Sequence, residues 1–239
     1  FPGRKGKGVT IQVFPLSFPE FVKAHGFEPR KIVYKEGELK RLWEKFKTTG
    51  GFPKSINEHE DALQSFIDAL ISEVRKNGKF LEIVDGIISS LLVKIPSSLS
   101  YHSIAKEIEI SHKTVREYIE FLEDCFILKR AFFKSHKVFR RKEKKIFFRD
   151  PFILHSLSFW TGEKFLESAL FENIVQEHLL RRFGEVYFYH NDYEIDCIAG
   201  NMKVEVKAGK PHRRYPKDVL VLGEDDIPRF LIELSEKNV

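Results

Sequence analysis

Four side chains in the last third of the chain, Glu172, Asp196, Glu205 and Lys207, have the types and order that metal-assisted phosphodiester chemistry requires. Carboxylates held close together repel unless a cation or a proton lies between them. Mg2+ or Mn2+ takes a few carboxylate oxygens and keeps several waters, so such a cluster is expected to hold a divalent ion. The ion polarises a phosphodiester oxygen and lowers the pKa of a bound water. Lys207 is expected to position that water or to stabilise the charge that builds on phosphorus. Asp196 and Glu205 are the expected metal ligands, with Glu172 completing the shell. Taken singly, an Asp, Glu or Lys on a hairpin is ordinary surface charge, and only their order singles these out.

That order works only if the backbone delivers it. Residues 166–183 read as a helix carrying Glu172 near its start, and residues 185–189 read as a strand. Glu194-Ile195-Asp196 then leads through a turn at Gly200-Asn201 into Val204-Glu205-Val206-Lys207. The period of two on the last strand sends Glu205 and Lys207 to one side and Val204 and Val206 to the other. In an antiparallel hairpin Asp196 lies beside Glu205. Lys203, Lys210, His212, Arg213, Arg214 and Lys217 follow closely, and Lys210, Arg213 and Arg214 are the expected DNA contacts here. A strand over 219–222 and a helix from Asp226 and Pro228 through Leu234 complete a mixed sheet with flanking helices.

Upstream, residues 100–107 read as a short helix with Ile104 and Ala105 inward. Ile108 and Ile110 bracket a tight turn, and Ser111 caps a longer helix anchored by Val115, Ile119 and Leu122. His112, Lys113, Thr114 and Arg116 stand where a recognition helix meets base edges. Strands are expected over 127–134 and 145–148. Between them Lys137, Arg140, Arg141, Lys142, Lys144 and Lys145, with Phe139 interleaved, form a basic wing for phosphates. Glu117, Glu120, Glu123 and Asp124 would repel a DNA backbone, so protein packing is the competing use of the same helices. Glu109 stands where such turns favour glycine; positive φ there would cost roughly 1 kcal/mol, so a different turn type is expected.

The first 15 residues read as a basic arm (Arg4, Lys5, Lys7) and a short strand through Val9, Ile11 and Val13. The Gly3 to Gly8 spacing mimics a phosphate loop, but Val9 and Thr10 stand where Lys and Ser/Thr must reach phosphate and Mg2+. No nucleotide site is therefore assigned, and ATP is not expected on this chain. Helices are expected over 17–24 and 36–46, followed by a break at Gly50-Gly51. Asn57, with Glu60 three residues on, is the expected cap of a helix that Gly78 closes, and residues 80–95 repeat its apolar pattern. The paired apolar faces read as core.

The chain has 239 residues, 42% of them hydrophobic, enough to bury one large core or two to three small ones. Its longest apolar stretch, 87–93, is broken by Ser89 and Ser90 and falls well short of the roughly 18 residues of a membrane span. Cys125 and Cys197 form no CxxC pair, so neither a disulfide framework nor a zinc knuckle is expected, and a reducing cytoplasm fits. The formal charge of +5 decides little. Heavy Lys and Glu use matches proteins of hot environments. The only Met is Met202 and the chain starts at Phe1, so a piece of something longer is expected. A GxSxG elbow is absent, and His59-Glu60 lacks the second His of HExxH.

Residue by residue, Glu172, Asp196 and Glu205-Val206-Lys207 resemble the PD-(D/E)xK nuclease motif. Taken in order, Phe14-Pro15-Leu16-Ser17-Phe18, Gly50-Gly51-Phe52-Pro53, the helix-turn-helix of 104–122, Phe148-Arg149-Asp150-Pro151, Glu172-Asn173 and the 195–207 hairpin resemble archaeal AAA+ ATPases with a nuclease-like C-terminal domain. In that family an ATPase core with Walker motifs comes first, and those motifs are absent here. The resemblance implies an α+β or α/β fold in three parts: a helical lid-like region over 1–95, a winged helix-turn-helix over 96–148, and a PD-(D/E)xK restriction-endonuclease-like mixed sheet over 149–239. It implies a DNA-binding, Mg2+-dependent nuclease-like module whose partners are DNA and an ATPase subunit or a second copy. The alternatives are a catalytically inert DNA-binding or protein-interaction module, and a pseudo-ATPase subunit paired with an intact one.

Overall fold

The computed structural model describes residues 13–209 and 215–236. The arm and strand expected at the N-terminus lie almost wholly outside these residues, as do Lys210, His212, Arg213 and Arg214.

The N-terminal half is helical. α1 (Phe18–Ala24) begins where Ser17 donates from both its backbone N–H and its hydroxyl to Glu20 Oε2, each at 2.7 Å. The short α2 (Pro29–Ile32) leads into α3 (Glu36–Thr49), which buries Leu39, Leu42, Trp43 and Phe46 at helical spacing. Pro53 then opens a four-residue helix, α4 (Pro53–Ile56), and Asn57 ends it. The expected cap at Asn57 is thus corrected: the next helix, α5 (Ala62–Lys76), starts after Asp61. Proline's fixed φ starts a helical turn four residues early, and Glu58 at φ 55° breaks it again. α6 (Leu81–Lys94) packs beside α5, with Val84, Ile87, Ile88 and Leu91 fully buried.

α7 (Tyr101–Glu107) and α8 (His112–Asp124) form the expected helix-turn-helix, each capped by a serine hydroxyl: Ser100 accepts from Ser103 N–H and Ser111 from Thr114 N–H. Their turn departs from expectation, because Glu109 takes φ 55° itself. Burial of Ile104, Ala105 and Val115 fixes how the two helices cross, and the left-handed residue between them closes that angle.

Among the described residues six strands form one open sheet, order β2-β1-β3-β4-β5-β6, over β1 (Leu128–Lys134), β2 (Val138–Phe148), β3 (Tyr187–His190), β4 (Glu194–Ala199), β5 (Met202–Lys207) and β6 (Leu220–Gly223). Two of its pairings, β1 with β3 and β5 with β6, are parallel, and the others are antiparallel. The fold is therefore mixed α/β with helices flanking the sheet. β1 and β2 are not a free wing: β1 pairs with β3 through Phe132↔Tyr187 and Phe133↔Phe188, so one sheet runs across residue 148. A two-stranded hairpin is marginal alone, and here Phe133 and Phe147 are buried in a cluster with Phe188 of the neighbouring strand. β2 also starts at Val138 rather than 145, with residues 140–143 bulging out of register between Phe139 and Lys144.

α9 (Pro151–Thr161) begins at the buried Asp150 and ends at Gly162 in the left-handed conformation. Asp150 Oδ1 accepts from Phe152 N–H at 2.8 Å and its Oδ2 from Gly51 N–H at 2.9 Å. One carboxylate thus caps α9 and holds the glycine break of the N-terminal region. α10 (Glu167–Phe183) packs against β2, β4 and β5, and α11 (Ile227–Glu236), preceded by a 3-10 turn at Glu224–Asp226, packs on α10 and α1.

Candidate functional site

The site is assembled from one helix and three strands. α10 contributes Glu172, β4 contributes Glu194 and Asp196, β5 contributes Glu205 and Lys207, and β2 contributes Lys145. The antiparallel register that pairs Cys197 with Val204 brings Asp196 beside Glu205. Two backbone bonds lock the pair: Asp196 N–H donates to Glu205 Oε2 at 3.2 Å, and Val206 N–H donates to Asp196 Oδ2 at 2.8 Å. Lys207 lies on the same side of β5 as Glu205, and its ammonium is ion-paired to Glu205 Oε1. Tyr215 donates its hydroxyl to that oxygen at 3.0 Å.

The residue missed by sequence reasoning is Lys145. It was expected on a solvated wing, yet it is only 2% exposed and its Nζ lies 2.5 Å from Asp196 Oδ1, 3.0 Å from Glu172 Oε2 and 3.3 Å from Glu194 Oε1. A signal was present in the apolar run Ile146-Phe147-Phe148, which draws the preceding residue toward the interior when the strand is long.

Glu194, Asp196 and Glu205 each present an oxygen, and these atoms lie within 4.8 Å of one another. The third carboxylate of this trio is Glu194, not Glu172, and the Lys145 ammonium contacts Glu172, Glu194 and Asp196 alike. Asp196 and Glu205 are buried, whereas Glu194 is exposed and opens the cluster to solvent. All donors are hard carboxylate oxygens, the set that Mg2+ or Mn2+ accepts.

Charge bookkeeping explains the titration of the cluster. Glu172, Glu194, Asp196 and Glu205 face the two ammoniums of Lys145 and Lys207, which leaves an excess of two negative charges when all are ionised. Burial, and then the Asp196 charge, push the Glu205 carboxyl up to about 7 despite its bonds to Lys207 and Tyr215. Burial holds Glu172 well above the ordinary carboxylate range even with Lys145 beside it. Burial disfavours the Lys145 charge, but Glu172, Asp196 and Glu194 outweigh it and hold the amine protonated far past its usual value. Two protons, or one divalent cation, would balance the excess.

The expected DNA contacts divide in two. His112 and Lys113 are exposed at the start of α8, with the His112 ring 4.2 Å from that of His102. Thr114 is half-buried, its hydroxyl 2.9 Å from that of Ser111, and Arg116 is exposed but paired to Glu120 at 2.9 Å. Lys137, Arg140, Arg141 and Lys142 are exposed around the β1–β2 hairpin. Lys144 is not: it is buried, its ammonium donates to the Lys142 carbonyl at 2.6 Å and lies 4.7 Å from the centre of the Tyr101 ring, so its expected phosphate contact is corrected. Leu99 bridges to its backbone along the edge of β2 through two hydrogen bonds of 2.9 Å. The Lys203 ammonium is taken by Asp218 at 2.5 Å.

A family model described as domain of unknown function DUF8612 matches residues 40–164, just over half of the chain. Among curated proteins, an uncharacterized protein of Haemophilus influenzae is 24% identical over 248 residues, covering 95% of this chain and 60% of that protein. An uncharacterized protein of Methanocaldococcus jannaschii is 22% identical over 210 residues, covering 81% of this chain and 48% of that protein. The chain spans about half to three-fifths of the length of these curated relatives. No solved structure matches it.

Proposed function

The chain belongs to the DUF8612 family, and from the site itself we propose that it is a DNA-binding, divalent-cation-dependent nuclease-like module. The observation that carries this is the convergence of Glu194, Asp196 and Glu205 within 4.8 Å, with Lys207 ion-paired to Glu205 on the same strand. Glu194, Asp196 and Glu205 would hold Mg2+ or Mn2+, which when bound supplies charge for a phosphodiester oxygen and an acidified water. Lys207 lies two residues beyond Glu205 and only partly buried, where its ammonium meets the charge that builds on phosphorus. Glu172 acts through Lys145, as a positioning residue. The exposed amines around the β1–β2 hairpin and the start of α8 supply non-specific attraction for the backbone. In this reading the α7–α8 pair is the DNA-docking part of a winged helix and the β3–β6 region is the PD-(D/E)xK part. Its partner class is an ATPase subunit, following the sequence resemblance, with no ATP bound by this chain.

The test is cleavage. Purified chain with Mg2+ or Mn2+ is expected to cut linear, branched or single-stranded DNA. EDTA, Asp196→Asn and Lys207→Ala should each lower the rate at least 100-fold, an effect of the size seen when a charged transition-state contact is removed. No cut in any DNA form, or equal cutting by Lys207→Ala, would end the catalytic reading.

One observation favours a second reading, an inert DNA-binding or interaction module. The Lys145 ammonium already bridges Glu172, Glu194 and Asp196 from within the fold. In that reading the acid cluster is a structural ion-pair network, and DNA binding falls steeply with salt while ignoring chelator.

A further inference from the structure

We propose that the rings and amines beside the acid cluster form a stacking platform for unpaired bases, so that the DNA this module takes is single-stranded or frayed. This rests on the DNA-binding part of the reading above and not on cleavage.

Phe133 of β1 is the buried hub of the platform. Its ring centre lies 5.7 Å from that of Phe139, 5.3 Å from that of His190, and 5.7 Å from that of Tyr189, to which it is nearly parallel at 19°. Tyr189 passes the row on to Tyr193 at 5.2 Å. Phe139, Tyr189, His190 and Tyr193 are each only half-buried, so the row has a wet side.

The amines around these rings differ from those elsewhere in the site. Lys142 Nζ lies 4.2 Å from the centre of Phe133 and 5.1 Å from that of Phe139, and Lys137 Nζ lies 5.3 Å from Phe139. Among the described residues neither is ion-paired to a carboxylate, whereas Lys145, Lys203 and Lys207 all are. Exposed ammoniums beside the half-buried rings would neutralise phosphates while ring faces they leave uncovered accept bases, the pairing by which single strands are held without reading sequence. A duplex keeps its base faces in its own stack and offers these rings nothing.

The platform leads to the cluster. His190 is the cross-strand partner of Glu194, and Lys142 lies three residues before Lys145 on β2. The His190 end of the row therefore stands beside the one exposed carboxylate of the acidic trio.

The experiment is fluorescence anisotropy in EDTA with the full chain, comparing a labelled twenty-nucleotide oligo-dT with a duplex of equal length. Oligo-dT is expected to bind more tightly. Phe139→Leu and Tyr193→Leu, which keep bulk but lose the aromatic face, should each weaken oligo-dT roughly fivefold or more and leave the duplex unchanged. Tyr193 stands at the end of the row, and an unchanged melting temperature for its variant separates binding from folding. Equal affinity for both DNA forms would overturn the platform. So would ring variants that bind like the parent while Lys142→Ala weakens both DNA forms alike, the pattern of a plain charged surface. Chelator excludes cleavage from this assay, so ring-dependent binding here, together with no cutting in the Mg2+ or Mn2+ assay, keeps the platform and removes only the nuclease.

Discussion

Lys145 donates to Asp196 at 2.5 Å although the two residues are 51 apart in sequence and lie on strands separated in the sheet by β1 and β3. The same ammonium reaches Glu172 on α10, so one side chain from the edge strand holds the helix to the sheet through the acid cluster. A buried amine in this position is a cation built into the chain.

Removing it should expose the repulsion it suppresses. Lys145→Met is expected to lower the unfolding free energy by about 3–5 kcal/mol at pH 8, the usual cost of stripping one partner from a buried pair. The loss should shrink near pH 5, where protons replace the missing charge. Urea midpoints at the two pH values measure this, and equal midpoints for parent and variant would show that the bridge contributes nothing.

Protons and divalent ions compete for Glu205. Its carboxyl titrates at about 7, raised first by burial, so metal must displace a proton below that pH. Stabilisation by Mn2+ in a thermal melt should be large at pH 8 and weaken up to tenfold in apparent affinity per pH unit below 7. Glu205→Gln should abolish the stabilisation. Calorimetric titration at three pH values checks it, and a flat profile excludes Glu205 as a ligand.

His178 sets an acid limb. Its Nε2 accepts from Phe18 N–H at 2.9 Å and its Nδ1 donates to the Ile174 carbonyl at 2.7 Å, which requires the neutral ring. Burial, with Arg181 nearby, pushes its pKa down to about 3. The folded-state value is depressed, so this contribution is fully present above the unfolded value of about 6.5 and is lost as pH falls from there toward 3. Glu205 and Asp150, both raised to about 7, work in the opposite sense, losing stability as pH rises through their window. His178→Phe should cost about 1–3 kcal/mol at pH 7.5 by orphaning the Phe18 N–H, and the variant should fall less than the parent between pH 6.5 and 4. Parallel slopes for the two proteins would refute the assignment.

The glycine break is tight on both sides. A Cβ on Gly51 would meet the Leu16 carbonyl oxygen at 2.0 Å, and one on Gly50, at φ 57°, would meet Asp150 Oδ1 at 1.9 Å. Gly50→Ala and Gly51→Ala should each destabilise by more than about 2 kcal/mol, whereas Gly37→Ala, with open space around it, should not. Melting temperatures of the three variants decide the point.

The helices with one apolar stripe were legible because their faces repeat every three to four residues, as Val84, Ile87, Ile88 and Leu91 do in α6. α9 was not, since Phe152, Ile153, Leu154 and Leu157 are all buried and a helix covered on most sides shows no stripe. Its Asp150-Pro151 start and Gly162 end were the signals available. The long β2 was hidden because its exposed stretch, 140–143, reads as a solvated loop.

For the site, the sequence by itself determined which groups share a hairpin. Asp196, Glu205 and Lys207 lie within twelve residues of one another, and the period of two fixes their sides. What only the tertiary structure decided is which distant groups join them: Lys145 among the acids, Glu172 paired to its ammonium, and the ring row that runs from Phe139 through Phe133 to Tyr189 and Tyr193. Strand order and the docking of α10 on the sheet set those contacts, and both arise from long-range burial that no local pattern encodes.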